Sequence, residues 1–344
     1  MDNERTYAQI PMKSVGPVLM AGPEVRGEFM VPLATFESPL WPSTNRGARV
    51  SVLSGGLKAT VMDDRMTRSV LLEAPDAGEC RRVWMQVQDR RDEIDKVVRE
   101  TSRFARLDDL HVQWVGNLLY IRIELTTGDA SGHNMVTAAA DRFLSWILRE
   151  FPELSHISVS GNYCTDKKVS AVNGILGRGK YVIAEGLVPE KVCRRHLRAA
   201  PEKIVDLNIK KNLIGTMLAG GVRTANAHFA NMLLALYLAT GQDAANIVEG
   251  SQGIVHTELR GRDLYFSVTL PNIIVGTVGS GKDLPVVRGN LDQLGCLEKR
   301  EPGANARRLA AIAAATVWCG ELSLLASLTN PGELMDAHLR MERK

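Results

Sequence analysis

The stretch Ser160-Gly-Asn-Tyr-Cys-Thr-Asp-Lys-Lys168 is the most informative part of this chain. It follows a short β-branched run, His156-Ile-Ser-Val-Ser160, which predicts a strand, so an acid and two adjacent lysines should lie in the loop at its end. An ammonium held beside a carboxylate at the edge of a buried strand can stabilise an oxyanion or bind an anionic substrate. The alternative is a solvated lysine pair on a surface turn, and this segment alone does not decide between the two.

Length and composition indicate an ordinary globular protein. The 344 residues exceed one typical domain, and a composition with 45% hydrophobic and 24% charged residues can form a substantial core. The net charge of +3 is too small to indicate nucleic-acid binding. The five cysteines are odd in number and lack a CxxC pair, which argues against a disulfide framework or a zinc site and for a reducing compartment.

The chain shows no signal-peptide pattern at its charged N-terminus, and we find no apolar run near the ~20 residues that a membrane span needs. We therefore expect a cytoplasmic protein with no nucleic-acid, membrane or metal partner.

The middle of the chain alternates strands and helices. We predict strands at Ser69–Glu73, Arg106–Trp114 and Leu118–Leu125, a loosely helical charged segment at Glu79–Ser102, and a helix ending at Glu150. This order predicts a small split-βαβ, ferredoxin-like domain at residues 69–155 that interrupts a larger helical and sheet domain, residues 1–68 and 156–344. The predicted fold class is therefore α+β.

Strands and helices also alternate in the larger domain. We predict strands at Gly27–Thr35, Tyr181–Leu187, Gly253–Glu258, Asp263–Leu270 and Ile273–Val278, and helices at Glu190–Ala200, Ala225–Thr240 and Ala304–Leu328. The last three strands should form a meander. A short polar tail follows the turn Asn330-Pro331-Gly332.

Several isolated residues are candidates for chemistry, and each has an ordinary structural alternative. Glu37 lies at a strand exit, where most acids are simply solvated. Asp243 follows an apolar helix, where the negative end of the helix dipole should raise its pKa. His228 and Asn231 are three residues apart and should share a helical face, although a helical histidine is more often structural than catalytic.

Two glycine-rich loops could approach a ligand closely. Gly128-Asp-Ala-Ser-Gly132 precedes a helix, so its backbone amides and the helix N-terminus could hold a phosphate. Gly276-Thr-Val-Gly279-Ser-Gly281 follows an apolar strand and could be only a tight turn. Neither loop has the GxGxxG pattern, so each signal is weak by itself.

Taken together, these segments resemble one family. Ser160–Lys168 closely resembles the central motif of 3-hydroxy-3-methylglutaryl-CoA (HMG-CoA) reductases, and the likeness extends over nearly the whole chain. The other matching segments are Thr126–Met135, Gly174–Lys180, Asn226–His228, Gly241–Asp243, Gly276–Gly279 and Gly320–Leu324. The resemblance is to the NADPH-preferring class. We expect this member to lack the membrane anchor and N-terminal linker domain of animal members.

The resemblance implies reduction of HMG-CoA to mevalonate and free CoA by two NADPH in two successive hydride transfers. It implies a substrate-binding larger domain and a dinucleotide-binding smaller one. Four catalytic residues are implied: Lys167 to stabilise the oxyanion, Glu37 to donate a proton, Asp243 to join them in one hydrogen-bonded network, and His338 to protonate the departing CoA thiolate. Two departures from the family pattern lie at Phe36-Glu37-Ser38 and at Asn330–Gly332.

The resemblance also implies binding residues. The substrate-binding positions are Arg68, Ser160, Asp166, Lys168, Lys211, His228 and Asn231. The cofactor-binding positions are Ser102, Arg103, Asp129, Ser131, Gly132, Asn134, Gly276 and Gly279, with Arg103 expected to select NADPH through its 2′-phosphate.

Family members work as dimers, or as dimers of dimers, with shared active sites. The resemblance implies that the lysine loop comes from one subunit and the cofactor domain from the other. It also predicts that the regulatory serine of animal members is missing, because its position falls near Lys344. Two alternatives stay open: an NAD-dependent enzyme that degrades mevalonate oxidatively, and a catalytically silent CoA- or nucleotide-binding relative.

Overall fold

The computed structural model of this chain describes residues 6–342, except for the side chains of residues 337, 338 and 340–342. Its strands are β1 (Met12–Ala21), β2 (Arg26–Ala34), β3 (Lys58–Glu73), β4 (Arg106–Val115), β5 (Leu118–Thr126), β6 (Ser155–Ser158), β7 (Gly179–Val188), β8 (Ile254–Arg260) and β9 (Asp263–Ile273).

The α-helices are α1 (Leu40–Leu53), α2 (Ala77–Asp89), α3 (Arg91–Arg99), α4 (His133–Glu150), α5 (Ala171–Leu176), α6 (Glu190–Val192), α7 (Pro201–Leu207), α8 (Thr216–Leu218), α9 (Phe229–Ala239), α10 (Ile247–Gly250), α11 (Pro285–Gln293), α12 (Ala304–Leu328) and α13 (Glu333–Glu342). The fold is α+β, as predicted.

The strand β3 connects two parts of one sheet. Its first half, Lys58–Arg65, pairs with β7, and its second half, Met66–Glu73, pairs with β5. The sheet order is β4-β5-β3-β7-β9-β8, and β6 pairs with the end of β3. The sequence predicted only Ser69–Glu73 as a strand, because the charged residues before it resemble a loop. Those charges are paired in the structure: Arg65 contacts Glu124, and Lys180 lies 3.2 Å from Asp64.

The strands around the second half of β3 have the order β4-β5-β3-β6, and all of these pairs are antiparallel. With α2 and α3 after the first strand and α4 before the last, this is the arrangement of a split βαβ unit. One hydrophobic cluster consists of residues between Met66 and Leu154 together with Ile274, and a larger cluster draws on the rest of the chain. The division at residues 68/69 and 155/156 stays a prediction, since β3 runs through it without a break.

Helix α12 is the centre of the larger core, and its bounds match the prediction. It is long and apolar enough to cross a membrane, contrary to the expectation from sequence, but 94% of its most apolar window is buried in this structure. Trp318 donates a hydrogen bond of 2.8 Å from its ring N–H to the Phe266 carbonyl, which joins α12 to the sheet. The apolar composition of this helix is thus explained by burial within the protein.

Other predicted elements also differ from the structure. The helix predicted at Glu190–Ala200 ends at Leu197 in a π-helical turn, and a second helical segment, missed from sequence, begins at Pro201, which occupies the first helical turn. The strand predicted at Ile273–Val278 does not form separately, because β9 continues to Ile273. The polar tail instead contains helix α13.

Helix α9 begins four residues later than predicted. Asn226 accepts a hydrogen bond of 3.2 Å from the Phe229 N–H, which marks the start of the helix. The N–H groups of Ala227 and His228 are bound by the buried Glu321 instead of by helical carbonyls. His228 therefore precedes α9, and only Asn231 lies in its first turn.

Candidate active site

Lys167 and Asp243 form an ion pair at the edge of a cavity. The Lys167 Nζ lies 2.8 Å from Asp243 Oδ2, and this contact raises the pKa of Lys167 above its usual value. Burial alone would raise the pKa of Asp243, but hydrogen bonds from Lys167 and from the Ala245 N–H hold it below the usual range. The expectation that a helix dipole raises this pKa was wrong, because Asp243 caps the next helical turn, Ala244–Asn246.

The backbone of Lys167 is held by a residue that sequence analysis missed. Lys167 has a φ of 58°, in the left-handed region that non-glycine residues rarely adopt. Its N–H donates a hydrogen bond of 3.0 Å to Oε1 of the fully buried Glu249, which also accepts bonds from Arg178 (2.8 Å) and Asn246 (3.1 Å). Burial raises the pKa of Glu249 despite these contacts. No sequence motif pointed to Glu249; its only signal was an acid in an apolar segment.

Asp166 is fixed between two arginines. Arg178 lies 2.9 Å from one carboxylate oxygen of Asp166, and Arg68 lies 3.6 Å from the other. The Lys168 ammonium donates a hydrogen bond of 2.9 Å to the Asp166 carbonyl. Four predicted residues of the substrate and catalytic sets, Arg68, Asp166, Lys167 and Lys168, therefore lie together.

The strand before this loop is not buried. Three of the four residues of β6 are exposed, since it pairs only with the end of β3. Ser160 follows it, and its N–H donates a hydrogen bond of 3.0 Å to the Ser158 hydroxyl. The lysine loop thus begins at a sheet edge that is open to solvent.

A cavity of about 710 Å³ brings the predicted cofactor loop together with Lys167 and Asp243. The other predicted residues in its wall are Arg68, Ser131, Gly132, Asn134, Asp166 and Gly279. Lys282 and His133 also line it and were missed from sequence. Burial lowers the pKa of His133, and the nearby Arg178 lowers it further.

The two glycine loops fit against each other. A side chain at Gly276 would overlap the backbone nitrogen of Ser131, so only glycine allows this contact. Asp129 accepts a hydrogen bond of 3.0 Å from the Ala306 N–H at the start of α12, and its carbonyl accepts one of 2.8 Å from the Thr277 N–H. Asp129 therefore fastens the first loop to α12 and to the second loop.

Gln242 connects the second loop to Asp243. Its amide exchanges two hydrogen bonds with the Gly276 backbone, at 2.9 and 3.0 Å. Gly279, by contrast, has a φ of 100°, and the space that a Cβ would occupy there has no neighbouring atom within 4 Å. This residue therefore presents bare backbone next to the cavity.

Arg103 lies in a second cavity, also of about 710 Å³, which borders the same glycine loop at Gly128. Arg106 and Arg307 line this cavity as well. The Arg103 guanidinium stacks on the Phe104 ring at 4.6 Å, and the Ser102 hydroxyl accepts a hydrogen bond of 3.2 Å from the Phe104 N–H. Three guanidinium groups around one cavity are suited to binding a phosphate group.

The remaining predicted residues form a second group. The Asn231 amide donates a hydrogen bond of 2.7 Å to Glu37 Oε2. His228 Nδ1 lies 2.9 Å from Oε2 of the buried Glu321, which sequence analysis did not select although it lies in the segment Gly320–Leu324. Lys211 donates a hydrogen bond of 3.0 Å to its neighbour Asn212, and among the described residues it forms neither a hydrogen bond nor an ion pair with Glu37.

The two groups lie at opposite ends of α9. Asn231 is in its first turn and Asp243 lies beyond its C-terminal end, after Gln242, and the 11 residues of this helix span about 16 Å. In the described part of the chain, neither a hydrogen bond nor an ion pair joins Glu37 to Lys167 or Asp243. The resemblance predicts that the lysine loop comes from one subunit and the cofactor domain from the other, and this stays a prediction. Within the single chain, Lys167 and the glycine loop before α4 line the same cavity.

His338 lies in helix α13, and its side chain falls outside the described residues. Among the residues that the structure describes, one cluster has the residue types of a metal site: Asp109, His111 and Glu124. Arg122, at 2.7 Å, and Arg65 already pair with Glu124, so their positive charge competes with a cation, and we assign no metal to it.

Comparisons with known proteins give one consistent result. The family model described as hydroxymethylglutaryl-coenzyme A reductase matches residues 2–343. The chain is 45% identical over 340 residues to the 3-hydroxy-3-methylglutaryl-coenzyme A reductase of Aeropyrum pernix, covering 98% of this chain and 80% of the relative. Identity to the Pyrococcus abyssi enzyme is 43% over 331 residues, covering 95% and 81%. Identity to the Xenopus laevis enzyme is 42% over 345 residues, covering 98% and 38%.

Among solved structures, the chain is similar to the class II 3-hydroxy-3-methylglutaryl-CoA reductase of Streptococcus pneumoniae bound to NADPH. The TM-score is 0.75 at 20% sequence identity, and the match covers 96% of this chain and 88% of that chain. At this level of identity the likeness concerns the fold.

Proposed function

Since this chain belongs to the hydroxymethylglutaryl-coenzyme A reductase family, we propose that it reduces HMG-CoA to mevalonate and free CoA with two NADPH, as a step of isoprenoid synthesis. The observation that carries the proposal is the Lys167–Asp243 pair, 2.8 Å apart in the wall of a cavity that the predicted dinucleotide loop also lines.

Lys167 would stabilise negative charge on the substrate oxygen. Converting a thioester into an alcohol takes two hydride additions to the same carbon, so charge develops twice on the same oxygen. A cation directed at that oxygen stabilises the transition state more than the ground state. Asp243 keeps Lys167 charged, because their contact raises the pKa of the ammonium.

Glu37 would donate the proton in the reduction of mevaldehyde, and His338 would protonate the CoA thiolate. Glu37 is already oriented by the hydrogen bond from Asn231. Because Glu37 and Lys167 are at opposite ends of α9, we propose that each site combines Glu37 of one subunit with Lys167 and Asp243 of another, in a homodimer. Such a site is incomplete in one chain.

The acyl carboxylate of the substrate would bind near Arg68. This guanidinium lies 3.6 Å from Asp166, and Lys168 is adjacent, so the wall near the lysine loop carries a surplus of positive charge. Ser160, Lys211, His228 and Asn231 complete the proposed substrate contacts.

The residues present fit a dinucleotide. The cavity has a volume within the usual range for ligand sites, lies at the start of the 18-residue helix α4, and is approached by bare backbone at Gly132 and Gly279. The bound cofactor would supply hydride. Ser131, Gly132, Asn134, Gly276 and Gly279 would hold it, while Ser102 and Arg103 would bind the 2′-phosphate; Asp129 would act by fixing the loop to α12.

The proposal includes a cytoplasmic location, supported by the cysteines, all five of which are free and buried. It also includes the predicted roles of the two domains: the larger one would bind the substrate and the smaller one the dinucleotide.

The test is a spectrophotometric assay of nicotinamide absorbance. We expect HMG-CoA to drive oxidation of two NADPH per HMG-CoA, and Lys167→Ala to reduce kcat by at least about 10²–10³-fold. Lys210→Ala, at an exposed lysine that pairs with Asp206, is the control and should retain full activity. Turnover only with mevalonate, CoA and NAD⁺ would favour the oxidative enzyme, and no turnover in either direction would favour the silent relative.

A further inference from the structure

Lys282 is a half-buried cation in the wall of the Lys167 cavity. Its ammonium donates a hydrogen bond to the Gly241 carbonyl, and within the described residues it forms no ion pair with a carboxylate. Burial lowers the pKa of Lys282 to about 8, with no charged neighbour to offset the loss of hydration. A buried ammonium without a counter-ion is unfavourable, so a ligand anion at this position would stabilise it.

A second feature of the same cavity favours an anion. Helix α4 begins at His133, and Ser131, Gly132 and Asn134 line the cavity beside its N-terminus. The free N–H groups and the positive end of the helix dipole attract negative charge. Lys282 and the helix N-terminus belong to different segments, so they are independent observations.

We propose that Lys282 binds a phosphate group of the dinucleotide cofactor, at its pyrophosphate. The inference rests on the proposed function for the identity of the ligand. CoA also carries phosphates, but the two glycine loops and the start of α4 border the cavity with Lys282 and favour the dinucleotide.

The contact between Lys282 and the phosphate can be detected through the pH dependence of NADPH affinity, given the other charged groups of the cavity. Lys167 has a raised pKa, while the pKa values of Asp243 and His133 are lowered, and Arg68 and Asp166 complete the set. Between about pH 7 and 9.5, Lys282 is therefore the group whose charge should change. Because a phosphate favours the charged ammonium, cofactor affinity should fall as the pH rises above about 8, and binding there should take up a proton.

The experiment measures the Kd of NADPH by fluorescence titration across this pH range. We expect Lys282→Met to weaken binding about 10- to 100-fold at pH 7 and to remove the pH dependence. Lys282→Arg should keep tight binding and also lose the pH dependence, because a guanidinium stays charged. Lys58→Met, at an exposed strand position, is the matched control and should behave as the wild type. Inorganic pyrophosphate should compete with NADPH in the wild type but not in Lys282→Met.

Unchanged NADPH affinity in Lys282→Met would overturn the inference, as would a loss of CoA affinity with NADPH affinity intact. A wild type that binds NADPH with the expected pH dependence but does not reduce HMG-CoA would overturn the proposed reaction and leave the Lys282 contact standing. If the wild type reduces HMG-CoA and Lys282→Met binds NADPH normally, the proposed reaction stands and the Lys282 contact is overturned.

Discussion

The backbone N–H of Lys167 donates a hydrogen bond of 3.0 Å to Oε1 of Glu249, a side chain with no exposed surface. The same oxygen accepts a bond of 2.8 Å from Arg178, which also contacts Asp166. This buried network holds Lys167 at a φ of 58°, which is unfavourable for a residue with a side chain. Glu249 therefore acts on the lysine through its backbone.

We expect Glu249→Ala to reduce kcat by roughly 10²-fold, because a displacement of about 1 Å at a reacting group has that effect. It should also destabilise the fold by about 3 kcal/mol, since it removes one partner of the buried Arg178. Glu249→Gln retains an acceptor for the Lys167 N–H and should recover part of kcat.

The structural readout for this prediction is amide hydrogen exchange in a peptide covering residues 160–168. Exchange should accelerate in Glu249→Ala and stay at the wild-type rate in Glu258→Ala, a control at an exposed acid that pairs with Arg260. Equal protection of this peptide in Glu249→Ala and the wild type would refute the positioning role, whatever the activity.

The contact between Lys167 and Asp243 predicts a shift in the pH dependence of kcat. Asp243 raises the pKa of Lys167, so the ammonium stays charged at a higher pH than a free lysine. Asp243→Asn removes the negative charge, and the alkaline limb of the kcat profile should move to lower pH. The measurement uses saturating NADPH, so that a change in cofactor affinity does not affect the measured kcat. An alkaline limb at the same pH in both enzymes would contradict this account of the pair.

The same pair also predicts how stability depends on pH. Since the folded-state pKa of Asp243 is lowered, its contribution is present above the usual carboxyl range and is lost as the pH falls through the folded value. The raised pKa of Lys167 gives a contribution that is present below its usual value and is lost at more alkaline pH. Both side chains are about two-fifths exposed, so solvent screening limits each effect to less than ~1 kcal/mol.

Arg103 provides a test of cofactor preference. We expect Arg103→Met to reduce kcat/KM for NADPH by about 10- to 100-fold and to leave kcat/KM for NADH nearly unchanged, because only NADPH carries a 2′-phosphate. The comparison is made in steady-state assays with both cofactors. Arg99→Met, at an exposed arginine that pairs with Asp95, is the control and should change neither value. A parallel loss with NADPH and NADH would show that Arg103 acts elsewhere than on the phosphate.

Sequence reasoning found residues that lie within distinctive motifs. Lys167, Asp243 and the glycine loops were selected because their neighbours form recognisable segments, and the structure brings these together in one cavity. Glu249 and Lys282 were missed for a physical reason. Their roles depend on burial and on partners distant in sequence, such as Lys167, which is 82 residues from Glu249.

The same limit explains the errors in the fold. The first half of β3 contains Asp64 and Arg65, which suggest a solvated loop until their partners on β7 and β5 are known. The late start of α9 depends on Glu321, a residue 93 positions from His228. Local patterns predict elements well where apolar residues follow the sequence period and are buried, as Leu119, Ile121 and Ile123 of β5 are. They fail where charged residues with distant partners replace that period.

The separation of Glu37 from Asp243 by the length of α9 predicts complementation between inactive subunits. Glu37→Gln and Asp243→Asn should each abolish most activity as homodimers. When the two chains are co-expressed, random assembly makes half of the dimers mixed, and each mixed dimer has one site with both residues intact. Activity should therefore recover to about one quarter of the wild-type value, as two-fold symmetry requires.

The control mixes Lys167→Ala with Asp243→Asn, whose residues form an ion pair within one chain. Lys167 and Asp243 of one site come from the same subunit. Every site in a mixed dimer therefore carries one of the two substitutions, and activity should stay at the level of the separate variants. Recovery in the first mixture but not in the second requires that Glu37 and the Lys167–Asp243 pair come from different subunits. Failure of both mixtures to recover, with mixed dimers verified by differential tags, would mean that one chain supplies the whole site.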